Sequence, residues 1–265
     1  MYDFFMSVKQ PDGAFLVAHH AEVDVRFALE SLFYRLLLTL GLLHSGTYCL
    51  LVTAHLLNML TLELLEGVPG FIKSCQTYEG GFSSASHPYF SPEPEGPPTL
   101  LDSPRPPLGE AHGGYTFCSL ASWVMLQPYL SLQEPCIQPS PPNFKTLLRW
   151  LVQMQGSEIE LGGFKGRTNK LVDGCYSWWV GGCFALLASL GIAGSRGHDH
   201  DHGPVTVPEE DEAWDDVDGL LSTIVRWQEI LIHYADSLWD RAALQRYILC
   251  AGQHPAGGLR DKPPK

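Results

Sequence analysis

One punctuation mark returns four times along this chain and limits its fold more than any other feature. Gln10-Pro11-Asp12-Gly13-Ala14-Phe15, Gln76-Thr77-Tyr78-Glu79-Gly80-Gly81-Phe82, Gln155 ahead of Gly162-Gly163-Phe164, and Gln253-His254-Pro255-Ala256-Gly257-Gly258-Leu259 each join a Gln, a glycine turn and a closing Phe or Leu. Each follows an apolar stretch with helical spacing: Tyr2 to Val8, Val68 to Cys75, Phe144 to Gln153, and Ala243 to Gly252. Glycine ends a helix cheaply because it accepts backbone conformations closed to other residues. A recurring helix–glycine turn–helix unit specifies a helical repeat array, in which each unit buries its apolar face against its neighbours. No alternating apolar and polar runs between turn clusters signal strands. The expectation is an all-α fold.

The units differ in length because other segments interrupt them. Residues 27–45, 83–109 and 194–219 read as insertions into a single domain spanning 1–265. The first holds the run Leu36 to Leu43, which is too short to cross a membrane and is preceded by Glu30 and Arg35. The second is rich in Pro and Ser and reads as a surface loop. The third is acidic, and its His198-Asp199-His200-Asp201-His202 alternation reads as a flexible polar tract rather than a metal site. A formal net charge of -12 argues against nucleic acid or an anionic membrane surface as partner. Seven cysteines, an odd number, without a signal peptide imply free thiols and a cytoplasmic location.

Two islands carry chemistry. In Gly162 to Trp179, Arg167 and Lys170 follow a glycine turn, and both can grip phosphate oxygens, the Arg as a fork and the Lys as a point charge. The bland alternative is a pair of solvated surface cations. Asp173 and Cys175 are ordinary zinc ligands, and sulfur favours zinc over magnesium. They converge on one ion only at a loop-to-helix junction, with Asp173 as N-cap of a helix running from Gly174 to about Ser189. The alternative is a capping Asp beside a buried Cys. Tyr176, Trp178 and Trp179 then line either a pocket or plain core. In the second island, Glu110 to Cys118, His112 precedes Gly113, Gly114 and Tyr115 at the opening of an apolar helix from Phe117 to about Leu130. It is either an anion donor or a loop His.

Tyr2 to Gly13, Glu22 to Arg26, Tyr48-Cys49, Cys75 to Gly81, both islands, and Pro255 to Lys262 occur in the order found in the β subunits of protein farnesyltransferase. The chain resembles that family, in a fungal-type version. The Asn169-Lys170-Leu171-Val172-Asp173-Gly174-Cys175-Tyr176-Ser177 string is the most specific match.

The resemblance implies an α/α barrel around an apolar funnel and zinc-dependent transfer of farnesyl to a Cys near a protein's C-terminus. It implies that Asp173 and Cys175 are zinc ligands, with Asp173, Cys175, Tyr176 and Lys170 as the catalytic set. Around the farnesyl diphosphate it implies His112, Gly113, Gly114, Arg167, Lys170 and Tyr176, with Tyr115 and Trp179 beside the isoprenoid. Arg26 falls near the peptide tail. It further implies an α subunit as partner, Cys-a-a-X tails as substrates, and magnesium as an assisting ion. The family's third zinc ligand, a His after the Asp-Lys-Pro segment, has no counterpart before Lys265. The expectation is therefore a fragment of an open barrel with exposed apolar faces, weak zinc binding and little transfer. The alternatives are the β subunit of geranylgeranyltransferase type I and an inactive truncated gene product. An isoprenoid cyclase is more distant, because its aspartate-rich D-x-D-D acid is missing.

Overall fold

The computed structural model describes residues 1–16, 46–90, 100–101, 104–132, 139–192 and 238–262. Arg26, the segment 27–45 and the whole of 194–219, with its alternating histidines, lie outside them. The helices are α1 (Tyr2–Val8), α2 (Thr47–Leu56), α3 (Leu62–Leu65), α4 (Val68–Ser74), α5 (Gly113–Leu130), α6 (Phe144–Gln153), α7 (Tyr176–Trp179), α8 (Gly181–Ser189) and α9 (Arg241–Arg246), which runs on into a wider π-helical turn, Tyr247–Ala251. Among the described residues the only sheet is a two-residue pair, β1 (Ala85–Ser86) against β2 (Pro107–Leu108). The all-α expectation holds.

Two layers organise these helices. In the inner layer α5 packs against α2 on one side and against α7 and α8 on the other, while α4 and α6 back them from outside. The glycine punctuation forms the seam between layers. Each mark closes with an antiparallel bridge: Lys9 with Phe15, Gln76 with Phe82, Gln155 with Phe164, and Gln253 with Leu259. Phe15, Phe82 and Phe164 are fully buried, whereas Leu259 is 70% exposed. The backbone N–H of Phe15 and of Phe82 donates to a buried threonine hydroxyl on the following inner helix, Thr47 at 3.4 Å and Thr116 at 2.9 Å.

The recurring Gln of the second and third marks has a further task. Gln76 Nε2 donates to its own turn at Gly80 O (2.9 Å) and to Asn143 O (3.0 Å), while its Oε1 accepts from Asn143 N (2.7 Å). Gln155 repeats the pattern with Gly162 O (3.0 Å), Asp240 O (2.8 Å) and Asp240 N (2.8 Å). Asn143 and Asp240 are the N-caps of α6 and α9. Each Gln therefore staples its turn to the start of the next outer helix. The turn glycines permit the approach. A Cβ on Gly80 would lie 2.2 Å from Thr146 O, and one on Gly162 would lie 2.4 Å from the Cβ of Ala243.

The 83–109 segment is more than a surface loop. Ser83, Ala85 and Ser86 are buried, and Arg105 reaches the buried Asp12 of the first turn, donating to its carbonyl at 3.1 Å with its carboxylate at 3.7 Å. A Pro-rich composition concealed a clamp, because the partner lies far away in sequence.

Candidate functional site

The two glycine-rich islands meet: Gly113 N–H donates to Gly166 O at 2.8 Å. At this seam His112 is the N-cap of α5 and accepts the Gly114 N–H on Nδ1 at 3.0 Å. An accepting Nδ1 places the neutral ring's proton on Nε2. Nε2 stands 3.1 Å from the Tyr176 hydroxyl, so in that bond the imidazole donates and the phenol oxygen accepts. The rings meet edge-on, with centroids 5.6 Å apart.

Gly166 seats the tyrosine. A Cβ on Gly166 would lie 1.8 Å from Cζ of Tyr176, so only hydrogen fits under the phenol. The next residue, Arg167, places its guanidinium 2.6 Å from the Glu110 carboxylate, and Glu110 stands two residues before His112. That exposed pair contributes little stability; what it fixes is where the guanidinium points. Lys170 is exposed on the same turn, its N–H 3.3 Å from Arg167 O, and stays outside the His112–Tyr176 network among the described residues.

An aromatic row leads away from this polar head. Tyr115 lies 5.0 Å from His112, and Phe117 lies 5.5 Å from Trp179, 5.8 Å from Trp178 and 6.2 Å from Tyr48 on α2. The rings span α2, α5 and α7. Burial, with Cys118 and Cys49 nearby, pushes the Tyr48 hydroxyl up to about 12, so it stays neutral. Burial, with Cys118 second, holds the Cys183 thiol well above its ordinary range, and its Sγ donates to Trp179 O. Cys183 is a core thiol and not a nucleophile.

Asp173 and Cys175 stand just ahead of α7. Asp173 Oδ1 accepts the Cys175 N–H at 3.1 Å, and Oδ2 lies 3.4 Å from Lys262 Nζ. Two expectations need correction. Cys175, not Asp173, is the cap residue of α7, and the aspartate instead closes a turn onto the N–H two residues on. The expected single helix from Gly174 to Ser189 is also divided at Val180 into α7 and α8, ahead of the Gly181-Gly182 pair, whose helix preference is poor. Gly182 in turn makes room for Phe117, whose Cε2 would lie 2.9 Å from an added Cβ. Among the described residues no three His, Cys, Asp or Glu side chains form a cluster able to hold a metal ion. Asp173 and Cys175 offer two donors of the right kind for zinc, short of a tetrahedral set.

A family model for the prenyltransferase alpha-alpha toroid domain matches residues 1–265. The chain belongs to the prenyltransferase family. Relatives include the protein farnesyltransferase subunit beta of Pisum sativum, 34% identical over 100% of this chain and 55% of its own length. The same subunit of Schizosaccharomyces pombe is 32% identical over 100% of this chain and 47% of its own. This toroid chain thus spans about half the length of the curated relatives it matches. A solved Candida albicans protein geranylgeranyltransferase-I complexed with GGPP covers 83% of it at 22% identity and a TM-score of 0.46, with 45% of that chain covered. No helix among the described residues is long and apolar enough to cross a membrane.

Four residues of this prenyltransferase-family site escaped sequence reading as working parts. Glu110 is one, because its partner Arg167 is 57 residues away. Gly166 is another, because nothing in a turn glycine announces a tyrosine lying on it. Lys262 and Tyr247 come from the last described segment. The Tyr247 hydroxyl donates to Asp261 O at 3.1 Å, and is raised by burial first and then by Asp173, Asp261 and Cys175. Gly174 N–H donates to Asp261 O at 2.6 Å, which draws that segment beside Asp173 and Cys175.

Proposed function

We infer that this chain is part of the catalytic β subunit of a protein farnesyltransferase, which moves a farnesyl group from farnesyl diphosphate to a cysteine thiol near a protein's C-terminus. The observation that carries this reading is the continuity between the His112–Tyr176 pair, with Arg167 beside it, and the row of Tyr115, Phe117, Trp178 and Trp179. A polar head with hydrogen-bond donors joined to a long apolar wall suits a diphosphate carrying an isoprenoid. The names of the similar β subunits supply the farnesyl group, and the geranylgeranyltransferase type-1 relative of Arabidopsis thaliana is less similar, at 28%.

In this reading Arg167, Lys170, His112 and Tyr176 bind the diphosphate. Gly113 and Gly114 let the head group approach the α5 N-terminus, and Tyr115 and Trp179 flank the farnesyl chain. The acceptor sulfur bonds to the first carbon of the chain as that carbon's bond to the diphosphate oxygen breaks, and the electron pair leaves with the diphosphate. The cations and donors stabilise this growing charge. Asp173 and Cys175 would hold zinc, which when bound keeps an acceptor thiol as thiolate. Magnesium would assist at the diphosphate. An α subunit, Cys-a-a-X tails and a cytoplasmic setting complete the proposal.

The test titrates the chain, alone and with a prenyltransferase α subunit, with farnesyl diphosphate and geranylgeranyl diphosphate, following tryptophan fluorescence and transfer to a dansyl-labelled Cys-tailed peptide. Tighter binding of the farnesyl compound, weakened by His112→Ala and by Arg167→Ala, is expected. Binding of neither compound refutes the reading.

A further inference from the structure

Arg167 and Lys170 share one turn, yet only one of them is held. Arg167 Nη1 donates to Glu110 Oε1 at 2.6 Å, whereas among the described residues the Lys170 side chain meets no carboxylate. The two side chains of the pair are 39% and 52% exposed, so the contact is no part of the core. A pair this exposed adds little stability, and its place beside His112 calls for another explanation.

Both ends of the pair stand on fixed backbone. On one side Ala111 is fully buried, and its Cβ would lie 2.9 Å from a Cβ added to Gly81. The His112 N–H donates to Phe82 O at 3.0 Å. Glu110 is thus mounted on the rim of the second glycine mark. On the other side Lys165 bridges Val172, and Gly166 O accepts the Gly113 N–H at 2.8 Å. Arg167 is thus mounted on the hairpin that follows the third mark. The carboxylate comes from one repeat unit and the guanidinium from the next. Their contact is also partial: one carboxylate oxygen takes Nη1, and the rest of the planar fork keeps its N–H groups for another acceptor.

We propose that Glu110 is a positioning residue of the diphosphate site: by fixing Nη1 it presents the remaining N–H groups of Arg167 to the diphosphate. This rests on the farnesyltransferase reading, which brings a diphosphate to Arg167, His112 and Tyr176. A carboxylate near an anion site also repels the anion, so the two effects must be compared. Exposed unit charges about 7 Å apart, with a guanidinium between them, change an affinity about threefold in water, and salt reduces that further. Holding a long, rotamer-rich side chain ready for a charge-assisted hydrogen bond is worth about tenfold. Positioning wins, and removing Glu110 weakens binding although it removes a negative charge.

The experiment assembles the chain with a prenyltransferase α subunit and measures Kd for an unreactive farnesyl diphosphate analogue by tryptophan fluorescence. Glu110→Ala should weaken binding about tenfold. Glu110→Gln keeps an acceptor oxygen and should fall between the parent and Glu110→Ala. A double-mutant cycle supplies the readout that a merely structural contact would not move. With Arg167→Ala in place, Glu110→Ala should add less than about twofold, because no fork is left to position. With Lys170→Ala in place it should again cost about tenfold, because Lys170 does not depend on it. If Glu110→Ala does not fold, the same two cycles are read with Glu110→Gln. Tighter binding by Glu110→Ala would mean that repulsion dominates and would overturn the proposal, as would a glutamine no better than alanine. So would a loss that persists in full with Arg167→Ala. All three leave the farnesyltransferase reading intact. Failure of the analogue to bind the unsubstituted complex refutes that reading, and this inference with it.

Discussion

Replacing Gly166 by alanine should disable the polar head of the site without touching a ligand-binding side chain. The new Cβ would stand 1.8 Å from Cζ of Tyr176 and 2.2 and 2.3 Å from its Cε atoms. Carbon atoms come no closer than about 3.5 Å at equilibrium, so about 1.7 Å of overlap must be relieved. Backbone strain gives no escape, because Gly166 is absent from the positive-φ residues and alanine fits its conformation. Gly166 O also holds Gly113 N–H at 2.8 Å, so the backbone is pinned and the ring must move. A shift of that size carries the hydroxyl out of its 3.1 Å contact with His112. Overpacking costs about 1–3 kcal/mol and the lost hydrogen bond about 1 more, so the variant should lose about 2–4 kcal/mol of stability. Affinity for a farnesyl diphosphate analogue should fall about tenfold as Tyr176 leaves the diphosphate, on the usual 1.4 kcal/mol per decade. The decisive assay is a double-mutant cycle with Tyr176→Ala, reading both urea unfolding and analogue Kd. With the ring removed, Gly166→Ala should cost nearly nothing, because the clash has gone. An equal cost in both backgrounds would refute the reasoning, and so would an unperturbed single variant.

Gln155→Leu should remove about 1–3 kcal/mol, since it strips the Asp240 N–H of its acceptor and leaves the Gly162 and Asp240 carbonyls without their donor; urea unfolding checks this, and a change under about 0.5 kcal/mol would show the staple to be ornamental. Zinc bound to the 265-residue chain should be weak and easily stripped by a chelator, because the described residues offer two donors, and Asp173→Ala or Cys175→Ala should abolish it; stoichiometric zinc that resists the chelator would contradict this. Stability should also fall in alkali. The Cys183 thiol is raised in the folded state, so its contribution is complete below the unfolded thiol value of about 8.5 and declines as pH rises above it. Cys183→Ala should flatten the melting temperature between about pH 8.5 and 10, and an unaltered slope would assign the effect elsewhere.

Much of this architecture was legible because its signals are local. The Gln–Gly–Phe marks state where helices stop and where the backbone must turn, and Tyr2–Val8 and Phe144–Gln153 begin and end where the periodicity puts them. The aromatic row was half legible: helical spacing places Tyr176 and Trp179 on one face, but only folding brings Phe117 between Trp178 and Trp179. The staples were not legible at all. A Gln at a helix end looks like any polar residue until Asn143 or Asp240 is seen against it. Arg105 clamping Asp12 and Glu110 holding Arg167 escaped for the same reason, since contacts between distant segments leave no period in a sequence. The Asp173 cap was misjudged because an aspartate ahead of a helix can close a local turn as readily as it caps.

The staples also run in one direction along the chain. Gln76 and Gly80 are made before the α6 N-terminus they receive, and Gln155 and Gly162 before that of α9. A polypeptide emerging from the ribosome therefore finds the socket already built when each new outer helix arrives. Assembly can advance unit by unit, each step closing contacts with the unit just completed. Unfolding that begins at α9 would retrace this order, and amide hydrogen exchange should report it as protection that rises from Arg241–Arg246 towards the seam between α4 and α5.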